Sequence, residues 1–475
     1  MEGPYTEGTE QLVFNGIDAD TGHYSYPPMT PEELASLVRT GPSYLPPGWA
    51  ESTGEAGKGF VEDIDAGDLS QTGWGIVFPE HGNPEVEEAL ASLIQHRQQQ
   101  AEAENKQRFR LFSGKDGYHK GESAADFLDR CGVSPGPVDP DQVPYYLLLV
   151  GDPSAIPIEF QYGLDLLHAV GRLHLEDPSD YYSYAQAVIA AESGQVRRAR
   201  TAAFFAPQHP GDQATALSAS DLATPLAQSV RKRGRGWEAS EVTKEAATKE
   251  RLKSLIGGNE TPAFLFTVTH GLMYKAGSPR QRELQGALLC QGWQGPGNPV
   301  DYGNVFSATD LTDGADVFGM VAFHLACFSA GTPTLVDYPI EGRDGRVPLA
   351  TEGFLSRLSQ RLLAHPRGSA LAVIGHMERA FGWSYSWVGQ GHGFAAFDAA
   401  VRRLLTGSTV GHAMEHFHNT YAVLSAALRE ELSRPEGGSD HTLARLWTAM
   451  HDARNYVLLG DPAVHLAVAP LLEGK

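Results

Sequence analysis

Two residues that could act together in catalysis stand at the ends of two apolar runs. The run FLFTVT ends at His270 and Gly271, and the run GMVAFHLA ends at Cys327. An apolar run that stops at a reactive side chain and small residues is typical of a buried parallel strand, which delivers chemistry to the carboxyl edge of its sheet. We therefore expect the imidazole and the thiol to lie at one edge of one sheet.

A thiol next to an imidazole points to nucleophilic catalysis. A neutral histidine can accept the thiol proton or stabilise the thiolate as imidazolium, and the thiolate is the reactive form of a cysteine whose ordinary pKa is about 8.5. His270 precedes Cys327 by 57 residues, which fits the pattern in which a histidine lies about 50 residues before a caspase-type nucleophile. A lone buried cysteine is most often only a small apolar residue, but the companion histidine favours catalysis.

Composition limits the partners of this chain. Its 475 residues carry a net charge of −21, which argues against nucleic acid or an anionic membrane as a partner, because both attract clustered cations. Three scattered cysteines favour a reducing compartment over a disulfide framework. The amino-terminal sequence has no basic region followed by an apolar core, and no run approaches the roughly 18 apolar residues of a membrane span. We expect a cytoplasmic protein.

The apolar pattern predicts an α/β protein in three parts. Residues 1–70 form a leader or N-terminal extension, with a short strand near Gln11 and a helix beginning at the capping box of Thr30 and Glu33. Residues 71–195 alternate strands (GWGIVF, FRLF, YYLLLV) with helices, which predicts a smaller α/β subdomain. Residues 196–475 continue with TAAFFAP, GWEASEV, the two runs described above, SALAVIGH and NYVLLG, and form the catalytic domain.

The second series predicts a parallel sheet flanked by crossover helices. Right-handed crossovers would bring His270 and Cys327 to the same edge. The segment 272–318 between them is rich in Gly, Pro and Asn, so we expect a substrate-facing loop with at most a hairpin.

These motifs resemble those of the caspase-hemoglobinase-fold cysteine peptidases of clan CD. The resemblance rests on an apolar strand ending in His-Gly, followed by a strand ending in Ala-Cys-x-Ser-x-Gly at residues 326–331. Within that group, LLLVGD at residues 147–152, VGRL at 170–173 and LLGDPAVHL at 458–466 look like gingipain-type (C25) and CHAT-domain chains. The resemblance spans about residues 70 to 470 and implies a caspase-like parallel sheet preceded by a gingipain-type subdomain.

The resemblance also implies roles for individual residues. His270 would be the general base and Cys327 the nucleophile of a cysteine endopeptidase, and the backbone N–H groups of Gly271 and Cys327 would form the oxyanion hole. In this fold the first specificity pocket is lined by the loop after the first strand of the catalytic series and by the segments beside the catalytic strands. In this sequence those segments contain three candidate substrate-binding residues: Asp212, Glu378 and Trp383. An acid in that pocket would select Arg or Lys through a charge-assisted bond.

The implied partners are a protein or peptide substrate and a regulatory protein or small-molecule activator. No cofactor and no metal is expected. CHAT-like relatives act in regulated bacterial systems, including defence, so the resemblance suggests a bacterial hydrolase of that kind.

Three alternatives remain open from the sequence. Ser329, in Cys-Phe-Ser-Ala-Gly, differs from the Gly-x-Ser-x-Gly of serine hydrolases only at the first position. His412, Glu415 and His416 have the spacing of an inverted zinc-protease helix, although a solvated helix is the simpler interpretation. The chain could also be a catalytically inactive peptidase relative that serves as a binding scaffold.

Overall fold

A computed structural model of the chain describes residues 11–40, 60, 64–133, 136–336, 347–381, 392–434 and 437–469. The fold is mixed α/β, with a large and mostly parallel central sheet flanked by helices. The ten strands of this sheet are, in chain order, β1 (Trp74–Val77), β2 (Phe109–Phe112), β3 (Tyr146–Val150), β4 (Ala169–Leu173), β5 (Thr201–Ala206), β6 (Glu238–Thr243), β7 (Phe264–Val268), β8 (Val321–Leu325), β9 (Ala372–His376) and β10 (Tyr456–Gly460).

The sheet is continuous from the first series of strands to the second. Its order is β2-β1-β3-β4-β10-β9-β8-β7-β5-β6. Every pair of neighbours is parallel except β9 and β10, which are antiparallel. Strands β1 to β4 and β10 therefore run in one direction, and β5 to β9 run in the other. The carboxyl ends of the second series, where the candidate residues lie, form the edge opposite to the carboxyl ends of the first series.

The direction of β10 differs from our expectation that this strand continues the parallel series. Parallel return is the rule for one crossover helix, whereas the described part of the connection between β9 and β10 contains three helices. Such a connection leaves the direction of the returning strand open. Because β10 is parallel to β4 and antiparallel to β9, it joins the two series into one sheet.

The helices cover both faces of the sheet. In chain order they are α1 (Pro31–Thr40), α2 (Leu69–Thr72), α3 (Pro84–Ala89), α4 (Ala91–Ala101), α5 (Ala124–Arg130), α6 (Ile158–Leu164), α7 (Pro178–Glu192), α8 (Gln213–Leu217), α9 (Thr224–Arg233), α10 (Lys249–Leu255), α11 (Gln281–Leu284), α12 (Arg357–Leu363), α13 (His392–Leu405), α14 (Val410–Ser433) and α15 (Asp440–Asn455). None of the helices in the described ranges is long and apolar enough to cross a membrane.

The central strands are buried throughout. Each residue of β7, β8 and β9 is buried, as expected for strands with helices on both faces. The segment 272–318 contains the predicted hairpin, in which Leu288–Leu289 pairs with Val305–Phe306, together with the short helix α11. A further antiparallel pair joins Gly331–Thr332 to Phe354–Leu355.

The leader packs on the half of the sheet that contains the second series of strands. Its helix α1 begins at Pro31, as the capping box predicts, and contacts α15. The preceding Ile17–Asp18 pairs in parallel with Leu272–Met273, the two residues that follow Gly271. The leader thus reaches the edge of the sheet at which β7 ends.

Candidate active site

His270 and Cys327 lie at the carboxyl ends of two neighbouring strands. Strands β7 and β8 are paired in parallel with Val268 opposite Leu325, so each candidate residue follows its strand by two positions. Gly271 stands directly against the backbone of Cys327: a Cβ atom at residue 271 would lie 1.8 Å from the Cys327 carbonyl oxygen. Only glycine permits this approach of the two chain segments.

A tight turn follows the cysteine. Phe328 has a φ of +60°, which is rare for a bulky residue, and its N–H donates to the Glu378 carbonyl at 3.0 Å. The hydroxyl of Ser329 donates to the His324 carbonyl at 2.8 Å and accepts from the His376 N–H at 3.0 Å. These bonds tie the turn to β9 and fix the backbone that carries Cys327.

His270 is oriented by a buried carboxylate. Its Nε2 lies 2.7 Å from Asp212 Oδ2, and both side chains are fully buried. Because an ionised carboxylate only accepts, Nε2 carries the hydrogen and Nδ1 has the free electron pair. Asp212 also accepts from the Thr215 hydroxyl at 2.5 Å and the Tyr24 hydroxyl at 2.7 Å. Burial opposes ionisation of Asp212, but the adjacent His270 and these three hydrogen bonds together hold its pKa below the ordinary value.

Aromatic rings surround the imidazole. Trp293 packs edge-on to His270 at a centroid distance of 5.9 Å, and Tyr24 does so at 6.1 Å. His209 stacks on it at 6.3 Å. Burial lowers the pKa of His209 to about 4, so this ring is neutral at pH 7 and adds no charge next to His270. These three rings limit the space in which the imidazole can turn.

One residue of the leader separates the imidazole from the thiol. The Gly16 N–H donates to His270 Nδ1 at 3.0 Å. A Cβ atom at Gly16 would lie 3.0 Å from Cys327 Sγ. The electron pair of His270 and the sulfur of Cys327 therefore face the same residue from two sides.

The thiol is inaccessible in this arrangement. Cys327 is 0% exposed, and its Sγ accepts a hydrogen bond from the Ala380 N–H at 3.2 Å. Burial raises the pKa of Cys327 to about 12, because the charged thiolate is poorly solvated there. The structure therefore holds Cys327 as the neutral thiol.

The three residues assigned to a specificity pocket lie in different surroundings. Asp212 bonds His270 and presents no free carboxylate to a pocket. Glu378 is fully buried and forms an ion pair with Arg379. Trp383 lies outside the described residues.

The side chains on which the alternative functions would depend are bonded to other residues. The two bonds of Ser329 described above engage its hydroxyl, and Ser329 is only 2% exposed. His324, on the strand that leads to Cys327, is buried, and its Nδ1 lies 2.7 Å from the Thr267 hydroxyl. On α14, Glu415 Oε2 accepts from Arg403 at 2.8 Å. Among the described residues, no group of three His, Cys, Asp or Glu side chains could hold a metal ion.

Sequence reasoning missed the contact between Asp212 and His270 and the position of the leader. A signal for the first exists: β5 and β7 are neighbours, so the loop that follows β5 and holds Asp212 ends next to His270. The second has only a weak signal, the apolar run Leu12–Phe14 ahead of Asn15 and Gly16, and the two bonded residues Gly16 and His270 are 254 positions apart.

Solved structures similar to this chain include cysteine proteinases of the gingipain type. A crystal structure of the Arg-specific cysteine proteinase gingipain R is 13% identical, covers 86% of this chain and 80% of its own, and gives a TM-score of 0.45. A complex of the pro- and mature domains of RgpB from Porphyromonas gingivalis is 13% identical, with coverages of 83% and 79% and a TM-score of 0.46. A third, described only as a protease, is 15% identical, with coverages of 84% and 80% and a TM-score of 0.48.

No family model and no curated protein matches the sequence. The functional proposal therefore rests on the geometry of the site.

Proposed function

We propose that this chain is a cysteine endopeptidase that hydrolyses peptide bonds with Cys327 as nucleophile and His270 as general base. One observation supports the proposal: the Gly16 N–H donates to His270 Nδ1 at 3.0 Å, and a Cβ atom at Gly16 would lie 3.0 Å from Cys327 Sγ, so a peptide at this position lies next to both groups. The imidazole already has the tautomer that a base requires, because Asp212 accepts the hydrogen on Nε2.

The reaction then follows from the two side chains. Nδ1 of His270 takes the thiol proton, and the thiolate attacks the carbonyl carbon of the substrate. The C–N bond breaks as His270 returns the proton to the leaving nitrogen, which leaves a thioester on Cys327. Water hydrolyses the thioester and restores the thiol. The N–H groups of Gly271 and Cys327 are the candidate oxyanion donors, and removing one such donor costs about 10²–10³ in rate.

A preference for Arg or Lys before the cleaved bond finds little support in the contacts of the two described acids. Asp212 bonds His270, and a substrate guanidinium at Glu378 would have to displace Arg379.

The decisive experiment replaces the nucleophile. The wild type, Cys327→Ala and the control Cys131→Ala are incubated with an unfolded, alkylated protein substrate under reducing conditions, and new amino termini are identified by mass spectrometry. Because the cleft holds residues of the leader, the same three sequences are also made in a Gly16→Ala background. We expect hydrolysis to vanish with Cys327→Ala and to persist with Cys131→Ala, whose thiol lies at the end of α5.

Hydrolysis that survives Cys327→Ala would exclude the thiol mechanism. Absence of hydrolysis in every protein, including the Gly16→Ala proteins, would instead support a binding scaffold.

A further inference from the structure

The leader crosses the candidate active site with main-chain hydrogen bonds on both sides. Before the site, Phe14 forms an antiparallel bridge with Phe381, and the Asn15 N–H donates to the Ala380 carbonyl at 3.1 Å. After the site, the Ile17 N–H donates to the Gly271 carbonyl at 3.3 Å. Addition of an extended peptide to exposed strand segments is a general mode of peptide recognition.

Side chains anchor this peptide on both sides of the dyad. Phe14 is 1% exposed and packs edge-on against Phe381 and Tyr26, at centroid distances of 4.7 and 5.0 Å. Ile17 is fully buried in a cluster with Leu272 and Trp293 of the 272–318 segment. The cleft therefore has an apolar site two residues before Gly16 and another directly after it.

The bond between Asn15 and Gly16 turns its nitrogen toward the proposed base. Its nitrogen belongs to Gly16 and lies 3.0 Å from His270 Nδ1, the atom that would protonate a leaving amine. Gly16 also stands against Cys327 Sγ. If the leader is compared with a bound substrate, Asn15 is the residue before the cleaved bond and Gly16 is the residue after it.

The same contacts prevent the reaction. Gly16 occupies the electron pair of Nδ1, so His270 cannot take the thiol proton. The Asn15 carbonyl is 3.5 Å from the Ser25 hydroxyl of the leader itself. Tyr24, also of the leader, holds Asp212 through its hydroxyl. Two groups of the site, Nδ1 of His270 and the carboxylate of Asp212, thus have a hydrogen-bond donor in the leader.

We propose that residues 12–17 are an inhibitory pseudosubstrate in the chain's own cleft, which presents the Asn15–Gly16 bond to the dyad, and that the cleft prefers an uncharged side chain before the cleaved bond. This inference rests on the proposed peptidase function. It adds a substrate class, peptides with an uncharged residue before the cleaved bond, and an inactive state in which residues 12–17 fill the cleft.

The preference follows from the surroundings of Asn15. Its side chain is 1% exposed, and neither of its polar atoms has a hydrogen-bond partner among the described residues. A neutral amide tolerates such a site at moderate cost, whereas a buried charge without a partner costs far more. Glu378, close in sequence to Ala380, is already paired with Arg379 and provides no free countercharge.

The first test displaces residues 12–17 from the cleft by adding one methyl group at Gly16. In Gly16→Ala, the new carbon would lie 2.8 Å from Ser25 Oγ and 3.0 Å from Cys327 Sγ, at a φ of +97° that disfavours alanine. The control Gly407→Ala has a φ of +99° and meets nothing within 4 Å among the described residues. Hydrolysis of an unfolded protein and alkylation of Cys327 by iodoacetamide are measured for both variants and for the wild type.

We expect Gly16→Ala to increase both rates by about tenfold or more, the factor that loss of 1.4 kcal/mol of binding produces, and Gly407→Ala to match the wild type. The wild-type alkylation rate should keep rising with pH up to about 12, because burial raises the pKa of Cys327 to about 12. In Gly16→Ala it should level off at a lower pH.

A second variant guards against misfolding. Tyr24→Phe removes only the hydroxyl that donates to Asp212 and adds no volume. It should also increase hydrolysis, and unfolding cannot imitate a gain in hydrolysis. Unchanged or reduced rates of hydrolysis in both Gly16→Ala and Tyr24→Phe, while the wild type hydrolyses protein through Cys327, would overturn the inhibitory role and leave the peptidase function standing.

The preference is tested with peptides of the leader sequence TEQLVFNGIDAD and with versions in which the residue at the Asn position is Leu, Asp or Arg. Gly16→Ala should cut the Asn and Leu peptides before Gly with a kcat/KM at least about tenfold above that for Asp and Arg, as expected for an uncharged pocket. The Cys327→Ala protein serves as the control for spontaneous breakdown. Fastest cleavage of the Arg peptide would overturn the preference.

Discussion

At the scale of single residues, the site depends on the carboxylate that holds His270. In the proposed reaction Asp212 is a positioning residue, because it accepts from Nε2 and thereby leaves Nδ1 without a hydrogen. An asparagine at this position can turn its NH₂ group toward Nε2 and force the hydrogen onto Nδ1, which removes the base.

We therefore expect Asp212→Asn, in the Gly16→Ala background, to lower kcat by about 10²–10⁴ with little change in KM. Asp212→Glu should restore part of kcat, because a carboxylate is present again. Steady-state kinetics measure both parameters, and thermal denaturation shows whether the variants fold. A kcat equal to that of the parent protein would show that Asp212 does not orient the base.

At the scale of elements, the turn after β8 decides where the thiol lies. The Ser329 hydroxyl connects the His324 carbonyl of β8 to the His376 N–H at the end of β9. In Ser329→Ala both buried groups lose this partner, which should reduce the free energy of unfolding by about 1–3 kcal/mol. Hydrolysis per folded molecule should persist, because the proposed nucleophile is the Cys327 thiol.

Urea denaturation and an assay at matched folded concentration check this expectation. The opposite pattern, an unchanged stability with a complete loss of hydrolysis, would identify Ser329 as the nucleophile and the chain as a serine hydrolase.

Most strands of the central sheet could be predicted from the sequence. Apolar runs with sharp ends identified nine of the ten strands of the central sheet, because burial on both faces leaves a continuous apolar signal. Strand β4 was missed, since Gly171 and Arg172 interrupt its pattern. The structure shows why these two residues occur in a buried strand. Gly171 packs against the Gly460 carbonyl oxygen, where a side chain would not fit. Arg172 donates to Gln161 and to the carbonyls of Gly151 and Ile156.

The candidate site was only partly predictable. His270 and Cys327 are visible because each ends a strand, which is a local signal. The contacts of Gly16 and Asn15 with the cleft depend on pairing between distant segments, and nothing in the composition of the leader specifies its partner. The direction of β10 was likewise set by packing across the sheet rather than by its own residues.

At the scale of the whole molecule, one buried carboxylate joins the two ends of the sequence. Asp461, directly after β10, accepts from Trp74 Nε1 at 3.0 Å and from Arg97 Nε at 2.7 Å. Arg97 is 1% exposed and also pairs with Glu192. Asp152 has the same place in the Gly-Asp-Pro that follows β3, but its side chain accepts from the nearby Ser154 and Ala155 and lies 3.9 Å from His174 Nε2.

We expect Asp461→Asn to lower the free energy of unfolding by about 3 kcal/mol, near the lower end of the cost of removing one partner of a buried ion pair. Asp152→Asn should stay within about 0.5 kcal/mol of the wild type, because asparagine keeps the local acceptor. Urea denaturation followed by tryptophan fluorescence compares the two variants. Equal effects would mean that the Asp461 cluster does not connect the two halves.

The place of β10 in the sheet has a consequence for how the protein is made. About 280 residues separate β4 from β10 in the chain, although the two strands are neighbours in the sheet. At a synthesis rate of about 5–20 residues per second, β4 waits roughly 15 to 60 s on the ribosome for its second neighbour. Throughout that interval the nascent chain carries an unpaired strand edge, which is a template for aggregation. Production of this protein should therefore be most vulnerable to aggregation before its last strand has been translated.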